Sequence, residues 1–452
     1  MPPTAEETNA TSAMADDPHE PYALAPNPRD LRIIDANLPE TARRLGQHLV
    51  QRLLLFDRGG PARLRIDPER NTALVEPLKA EGVIYEAHEA CRPYRVDSSG
   101  ERRDVTLPDK VAKLYLANSQ AWSLRPLDGI TTTPLLSESG ACRVSTGYDP
   151  TTRFWCQDVP SLQIPDTPTR ENAEKALYTL RRFLRTFAFA DGKRVGLDGL
   201  LVIDINEPPG SDESAALVGL LTAVCRSSLP LAPALLVRAP SFSGAGVGKG
   251  LLVRVITAIA YGIEPRAMTA GGSTEEMDKR LVAALIGADP VIFLDNVNGT
   301  SLRSDMLASA ITERPAYVRI LGSSTTRSLN PSAFIAVTGN GLSIAEDLAR
   351  RFVVVELDAG MEDPEARPFA GDILKDALEH RAELLSAALT IWRWGRMSSA
   401  DIAPGRALGS FNAWAAWVRD PLFTLGCADP VARISDAKAD DPERRHGTCQ
   451  RQ

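Results

Sequence analysis

Apolar positions follow two different rhythms along this chain. In residues 34–56 (IDANLPETARRLGQHLVQRLLLF), Leu45, Leu49, Val50 and Leu53 recur at helical spacing behind Pro39, and the pattern predicts a helix. Gly59-Gly60 marks a turn, and ARLRID (62–67) then alternates as a strand does. VTLPDKVAKLYLAN (105–118) carries a helix opening near Pro108. From 131 to 156 turn residues dominate, and Gly147 with Asp149-Pro150 marks a tight exposed connection. Residues 29–170 are thus expected to form a mixed α+β accessory region.

Beyond 171 the rhythm changes. NAEKALYTLRRFLRTFAFAD (172–191) has one apolar stripe and predicts an amphipathic helix. Four short apolar runs follow, at 234–240, 291–297, 333–340 and 352–358, each continuous as a strand buried on both faces must be. Helical patterns separate them at 213–228, 251–262, 273–290 and 302–312, the third opening on a capping box, Ser273 with Glu276. Strands alternating with helices predict a mostly parallel sheet with helices on both faces, occupying 171–372. Residues 373–435 read as a C-terminal helical subdomain. The flanks, a leader at 1–28 and a polar tail at 436–452, are expected to be disordered or frayed.

Composition narrows the class. With 452 residues, 44% of them hydrophobic, the chain has material for two or three modest cores. The formal charge of −7 gives no overall sign of nucleic-acid binding, although a local basic lining on an acidic body is compatible with it. Cys91, Cys142, Cys156, Cys225, Cys427 and Cys449 form no CxxC pair, which predicts scattered thiols in a reducing cytoplasm rather than a zinc site. The five histidines are dispersed, so neither a histidine metal centre nor a His-based triad has support. No apolar run reaches the length of a membrane span, and the N-terminus lacks a secretory pattern; no membrane partner is expected.

The chemistry concentrates in SFSGAGVGKGLLVR (241–254). A buried strand ends at Pro240, glycines alternate at Gly244, Gly246 and Gly248, and Lys249 opens a helix. Glycines let the backbone curl so that its N–H groups face phosphate oxygens, the helix N-terminus adds partial positive charge, and a lysine reaches the outer phosphates. Gly244, Ala245, Gly246, Val247, Gly248, Lys249, Gly250 and Leu251 are the candidate nucleotide-binding residues. The full phosphate-loop pattern has Gly at 243 and Ser or Thr at 250, where this chain has Ser243 and Gly250. Without the hydroxyl that holds magnesium, either water replaces it or nucleotide binding weakens.

Later strands supply partners. Asp295 ends an apolar strand, where it is placed to hold Mg2+ directly or through water. Asn296 stands where many ATPases of this kind carry a glutamate base, and an amide takes no proton; Asp305, Glu313 and Glu276 are the other carboxylates available. Asn340 ends the third strand, as a group that orients water beside a γ-phosphate would; Asn-Gly is equally a simple turn. Arg350 and Arg351 precede the fourth strand, and either could reach a neighbouring subunit's γ-phosphate in trans.

Lysine, aspartate, asparagine and paired arginines in this order resemble the AAA+ ATPases and superfamily 3 helicases. More closely, PLLSESG, GYDP, SFSGAGVGKGLLVR, FLDNVNGT, VTGNG, EDLARRF and GSFNAWAAWVRDPL resemble the ATPase portion of phage and mobile-element replication proteins of the primase-associated type. Nothing in the first 100 residues resembles a primase domain. The resemblance implies an α/β fold with a P-loop AAA+-like core, ATP and Mg2+ as cofactors, and a homo-hexamer acting on single-stranded or forked DNA. A separate primase or origin-binding protein would be a partner. Lys249 would contact the β/γ-phosphates, Asp295 the metal, Asn340 the γ-phosphate, and Arg350 or Arg351 would act in trans. A hairpin within 316–334 would face DNA, with Arg319, Ser323 and Arg327 as contacts. A protein-remodelling or clamp-loader-like ATPase, and a nucleotide-binding scaffold with little hydrolysis, are the competing readings.

Overall fold

The computed structural model describes residues 29–67, 72–240, 246–269, 273–297, 302–319, 326–361, 363–366 and 371–433. The leader, the polar tail, Gly244, Ala245 and Ser323 lie outside the described residues.

The accessory region opens on a short strand, Asp30–Arg32, paired parallel with Arg92–Val96, and continues into helix α1 (Leu38–Leu49), whose first turn is capped by Asn37 accepting from the Glu40 N–H. The helix does not run on to residue 56 as its apolar spacing predicts. The chain turns after Leu49 because Leu55–Asp57 (β1) is needed as a strand, paired antiparallel with β2 (Pro61–Asp67) across Gly59 and Gly60. Both glycines have positive φ, 63° and 148°, so the turn requires them. Strand β3 (Thr72–Pro77) pairs with the other edge of β2. Helices α2 (Ala80–Ala90) and α3 (Asp109–Ala117) close with α1 over a small core of Leu45, Leu49, Val83, Val111 and Tyr115.

Helix α4 (Arg170–Leu184) starts from a reciprocal capping box between Thr169 and Asn172. It stops at Leu184 rather than at 191 because the following residues extend beside the sheet, Ala190 N–H donating to the Glu356 carbonyl and Asp358 N–H to that of Ala188. A hairpin of β4 (Arg194–Leu197) and β5 (Leu200–Ile203) turns at Asp198-Gly199, both with positive φ. Helix α5 (Ser211–Cys225) is buried at every position from Asp212 to Cys225, which explains its apolar residues all round.

The remaining elements build the main sheet. In chain order they are β6 (Ala234–Ala239), α6 (Lys249–Tyr261), β7 (Ala267–Met268), α7 (Thr274–Gly287), β8 (Val291–Leu294) and α8 (Asp305–Thr312). The hairpin β9 (Ala316–Arg319) and β10 (Thr326–Leu329) precedes β11 (Phe334–Asn340), α9 (Glu346–Ala349) and β12 (Phe352–Glu356). The five-stranded sheet has the order β7-β8-β11-β6-β12, and every pairing in it is parallel. The fold is mixed α/β with a parallel sheet.

Helices α10 (Ile373–Glu379) and α11 (Arg381–Met397) and a last helical stretch at 412–424 follow. One apolar cluster joins Leu236 and Val354 of the sheet, Leu220 of α5 and Ile256 of α6 to Trp392 and Trp414, so the core is continuous across residues 372–373. Buried arginines bind these layers through backbone carbonyls. Arg58 donates to Leu285 and Ile286 in the last turn of α7 and to Leu127 and Asp128, joining the accessory region to the sheet layer. Arg381 does the same for Ile259 and Ala260 at the end of α6. Carbonyls in the last turn of a helix are short of intrahelical donors and carry the negative end of the helix dipole, so a guanidinium serves both needs. Burial lowers the Arg58 and Arg381 pKa values to about 10, which still leaves both charged at neutral pH.

The deepest ion pair joins α4 to α5. Arg181 meets Glu213 at 2.7 and 3.0 Å through two parallel N–H···O bonds, and only 8% and 2% of the two side chains is exposed. Glu213→Ala leaves a guanidinium buried without its carboxylate and is expected to cost about 3–5 kcal/mol of stability. Urea unfolding followed by tryptophan fluorescence measures this; a loss well under 1 kcal/mol contradicts it.

Candidate functional site

Strand β6 lies between β11 and β12, so the chain leaving it at Ala239 emerges among three strand ends. From there it crosses to the edge strand β7 and returns through β8 and β11, while β12 joins on the other side. Connections diverging this way open a crevice at the C-terminal edge of a parallel sheet, where ligands bind. Gly246 and Gly248, the described glycines of the loop, lead into α6 beside that edge. Gly246 and Gly248 have φ of 69° and 98°, which glycine adopts at low cost, and Gly248 caps α6. A side chain at Gly246 would collide with that of Glu365, and one at Gly248 would touch the Phe187 ring, 3.7 Å from the added carbon. Val247 is buried and anchors the loop, while Gly250 and Leu251 are half-buried.

Lys249 is the first residue of α6 and is half-buried. Burial lowers its pKa from the ordinary lysine value, and Asp295 opposes the shift. Asp295 immediately follows β8, with its N–H donating to the Met268 carbonyl of β7. The buried Thr338 hydroxyl on β11 donates to Asp295 Oδ1 at 2.6 Å and accepts from the Asn296 N–H at 2.9 Å. A carbon added to Gly250 would stand 3.4 and 3.5 Å from the two Asp295 oxygens, so the start of α6 and the end of β8 face one point. Asn296 has φ of 60°, a left-handed conformation that asparagine tolerates better than glutamate.

The same point tests the fit of a divalent cation. Asp295 offers a carboxylate there, and its Oδ2 is 3.5 Å from Arg254 Nη2. Position 250 supplies no oxygen, and Arg254 Nη1 would be 2.7 Å from a carbon added to it. No group of three or more metal-ligating side chains occurs among the described residues. A guanidinium nitrogen therefore lies beside position 250, which supplies no oxygen, and these residues do not fit a magnesium ion held by hydroxyl and carboxylate.

Asn340 is the last residue of β11, in register with Ala239 at the root of the glycine loop. Gly339 beside it admits no side chain, because an added carbon would collide with the Val297 carbonyl. Lys249, Asp295 and Asn340 thus share the C-terminal edge. Arg350 and Arg351 do not join them. Both precede β12, and the Arg351 carbonyl accepts from the Ala234 N–H at the opposite end of β6. The length of β6, about 17 Å at strand rise, separates them from the crevice.

On the β9–β10 hairpin, Arg319 is exposed and Val318 is buried. Arg327 lies against Gly59 and Gly60 of the accessory region; burial lowers its pKa, with Asp57 opposing. Tyr317, 65% exposed, shares the outer face with Arg319 and was not among the residues singled out from sequence. Its alternation with Val318 on a four-residue strand was the available signal. Thr338, Arg254 and Glu365 were also missed. Arg254 alone had a local sign, standing four residues after Gly250 and so on the same helix face. Of the carboxylates weighed as bases, Glu276 pairs with Arg280 at 3.3 Å and Glu313 accepts from Ser309, its helix neighbour.

No family model and no curated protein matches the chain. Among solved structures, the JCV helicase aligns at 15% identity over 60% of this chain and 67% of that one, with a TM-score of 0.22. The NrS-1 C-terminal region aligns at 13% identity over 73% and 66%, with a TM-score of 0.27. SCCmec type IV Cch, described as an active helicase, aligns at 11% identity over 86% and 77%, with a TM-score of 0.30. Overlap at this level assigns neither fold nor activity. Among the described residues, no helix is long and apolar enough to cross a membrane.

Thr338→Val removes the hydroxyl that both Asp295 and the Asn296 N–H use. It is expected to lower the unfolding free energy by about 1–3 kcal/mol, with Thr338→Ser close to wild type. Paired denaturant titrations check this, and equal losses in the two variants contradict it.

Proposed function

We propose that this chain is an ATP-hydrolysing motor acting on DNA, of the AAA+ or superfamily 3 helicase type. The observation that carries the reading is the convergence of Lys249, Gly250 and Asp295 on one point of the crevice, with Asn340 at the adjoining strand end. In this reading Lys249 and the backbone N–H groups of the glycine loop hold the β- and γ-phosphates. Asp295, oriented by Thr338, sets the negative charge opposite Lys249. Asn340 orients the attacking water. Burial and the helix N-terminus strengthen the electrostatics of the site by excluding solvent.

The position of Arg350 and Arg351 supports assembly. They stand at the opposite end of the sheet from their own crevice, and a closed ring such as a homo-hexamer places such a group near a neighbour's crevice. On the hairpin, Tyr317 offers a stacking face and Arg319 a charge, the two groups that single-stranded DNA recognition uses. A second reading, a nucleotide-gated scaffold with little turnover, is favoured by Asn296, whose amide takes no proton.

Steady-state ATP hydrolysis with and without single-stranded DNA, beside Lys249→Ala, tests the motor. Turnover stimulated by DNA is expected, and the variant is expected to lose about 10²-fold or more. Nucleotide binding without turnover, DNA present, favours the scaffold; turnover indifferent to DNA favours a protein-remodelling ATPase. Arg350→Ala and Arg351→Ala test assembly. The variant that removes the trans group is expected to be inactive alone and to regain turnover when mixed with Lys249→Ala subunits, because mixed interfaces then contain one intact site.

A further inference from the structure

The geometry points to Arg254 as a built-in cation that takes over the role of the missing hydroxyl and its metal at Asp295, so that nucleotide is held with little dependence on a divalent ion. This rests on the nucleotide reading above and extends it to how the site is charged. Side chains on a helix lean toward its N-terminus, and Arg254 lies one turn after Gly250, so its guanidinium returns over that glycine. Its Nη1 would be 2.7 Å from a carbon added at position 250, so a side chain there would have to displace the guanidinium from its present place. Gly250 and Arg254 are therefore one arrangement: the absent side chain makes room for the guanidinium.

Three groups hold the guanidinium there. Nε is 3.2 Å from Glu264 Oε1, Nη2 is 3.5 Å from Asp295 Oδ2, and the Arg254 Cζ stands 5.3 Å from the centre of the Phe293 ring. Phe293 is fully buried and lies two residues before Asp295, on the same face of its strand. The side chain keeps 24% of its surface exposed, and Nη1 makes no hydrogen bond among the described residues. An arginine has five donors in a planar fork and stays charged, so it can bind the Asp295 carboxylate and still present N–H groups to a phosphate. A divalent ion at the same point would meet that positive charge and would find no oxygen at position 250.

The test is a titration of the full chain with a fluorescent ATP analogue, once with magnesium and once with excess chelator. Wild type is expected to bind within about threefold in the two conditions. Arg254→Ala is expected to lose about tenfold or more in chelator. Gly250→Ser with Arg254→Ala, which restores a hydroxyl and frees its space, is expected to bind tightly in magnesium only. Arg254→Lys keeps a charge without the fork; thermal melting shows which variants fold, and Arg254→Lys replaces Arg254→Ala if the latter does not. Its expected affinity in chelator is below wild type. Wild-type binding that collapses in chelator, or an Arg254 variant that folds and keeps its magnesium-free affinity, overturns the role of Arg254 and leaves the nucleotide reading standing. Absence of binding by wild type in both conditions overturns the nucleotide reading itself.

Discussion

Everything around the crevice depends on β6 being paired on both edges and covered on both faces. Leu235, Leu236 and Val237 are buried, and the strand is bonded to β11 on one side and β12 on the other. A strand in that position has little solvent face, so its residues are apolar except Arg238, which pairs with Glu356 near the C-terminal end, and its backbone groups are used by the two neighbours. The chain leaving it has one exit, past the C-terminal edge. Gly246 and Gly248 take positive φ just before α6, which starts at Lys249 with Gly248 as its N-cap. The place of the glycines at the C-terminal edge is a consequence of the sheet order as much as of the glycines themselves.

Arginine charge inside the molecule does two different jobs. Arg58 and Arg381 satisfy helix-end carbonyls, tying the accessory region and α11 to the layer of helices around the sheet. These contacts supply polar partners where closely packed layers would otherwise bury backbone oxygens without donors. Arg254 is directed to carboxylates instead, Glu264 and Asp295. The difference lies in the available acceptors: the end of a helix offers carbonyls, and the end of a buried strand offers Asp295.

The departures from the phosphate-loop pattern have local physical reasons. Asparagine at 296 suits a left-handed residue whose N–H is held by Thr338. Glycine at 250 suits a helix turn over which a guanidinium is folded.

Much of the α/β architecture was legible in the sequence. Continuous apolar runs marked β6, β8, β11 and β12 because strands buried on both faces have no polar side, and Ser273 marked the start of α7 because a capping hydroxyl is a local requirement. The glycine spacing and Lys249 were legible for the same reason, since a tight turn into a helix is set by adjacent residues. Tertiary structure alone decided where α1 and α4 stop, because their ends yield to strand pairing with distant segments. It alone placed Arg327 against Gly59, Arg350 and Arg351 on the far edge, and Glu365 beside Gly246. Backbone propensity and side-chain periodicity act over a few residues and survive in the sequence, whereas the partner of a long charged side chain depends on which distant surfaces packing brings within its reach.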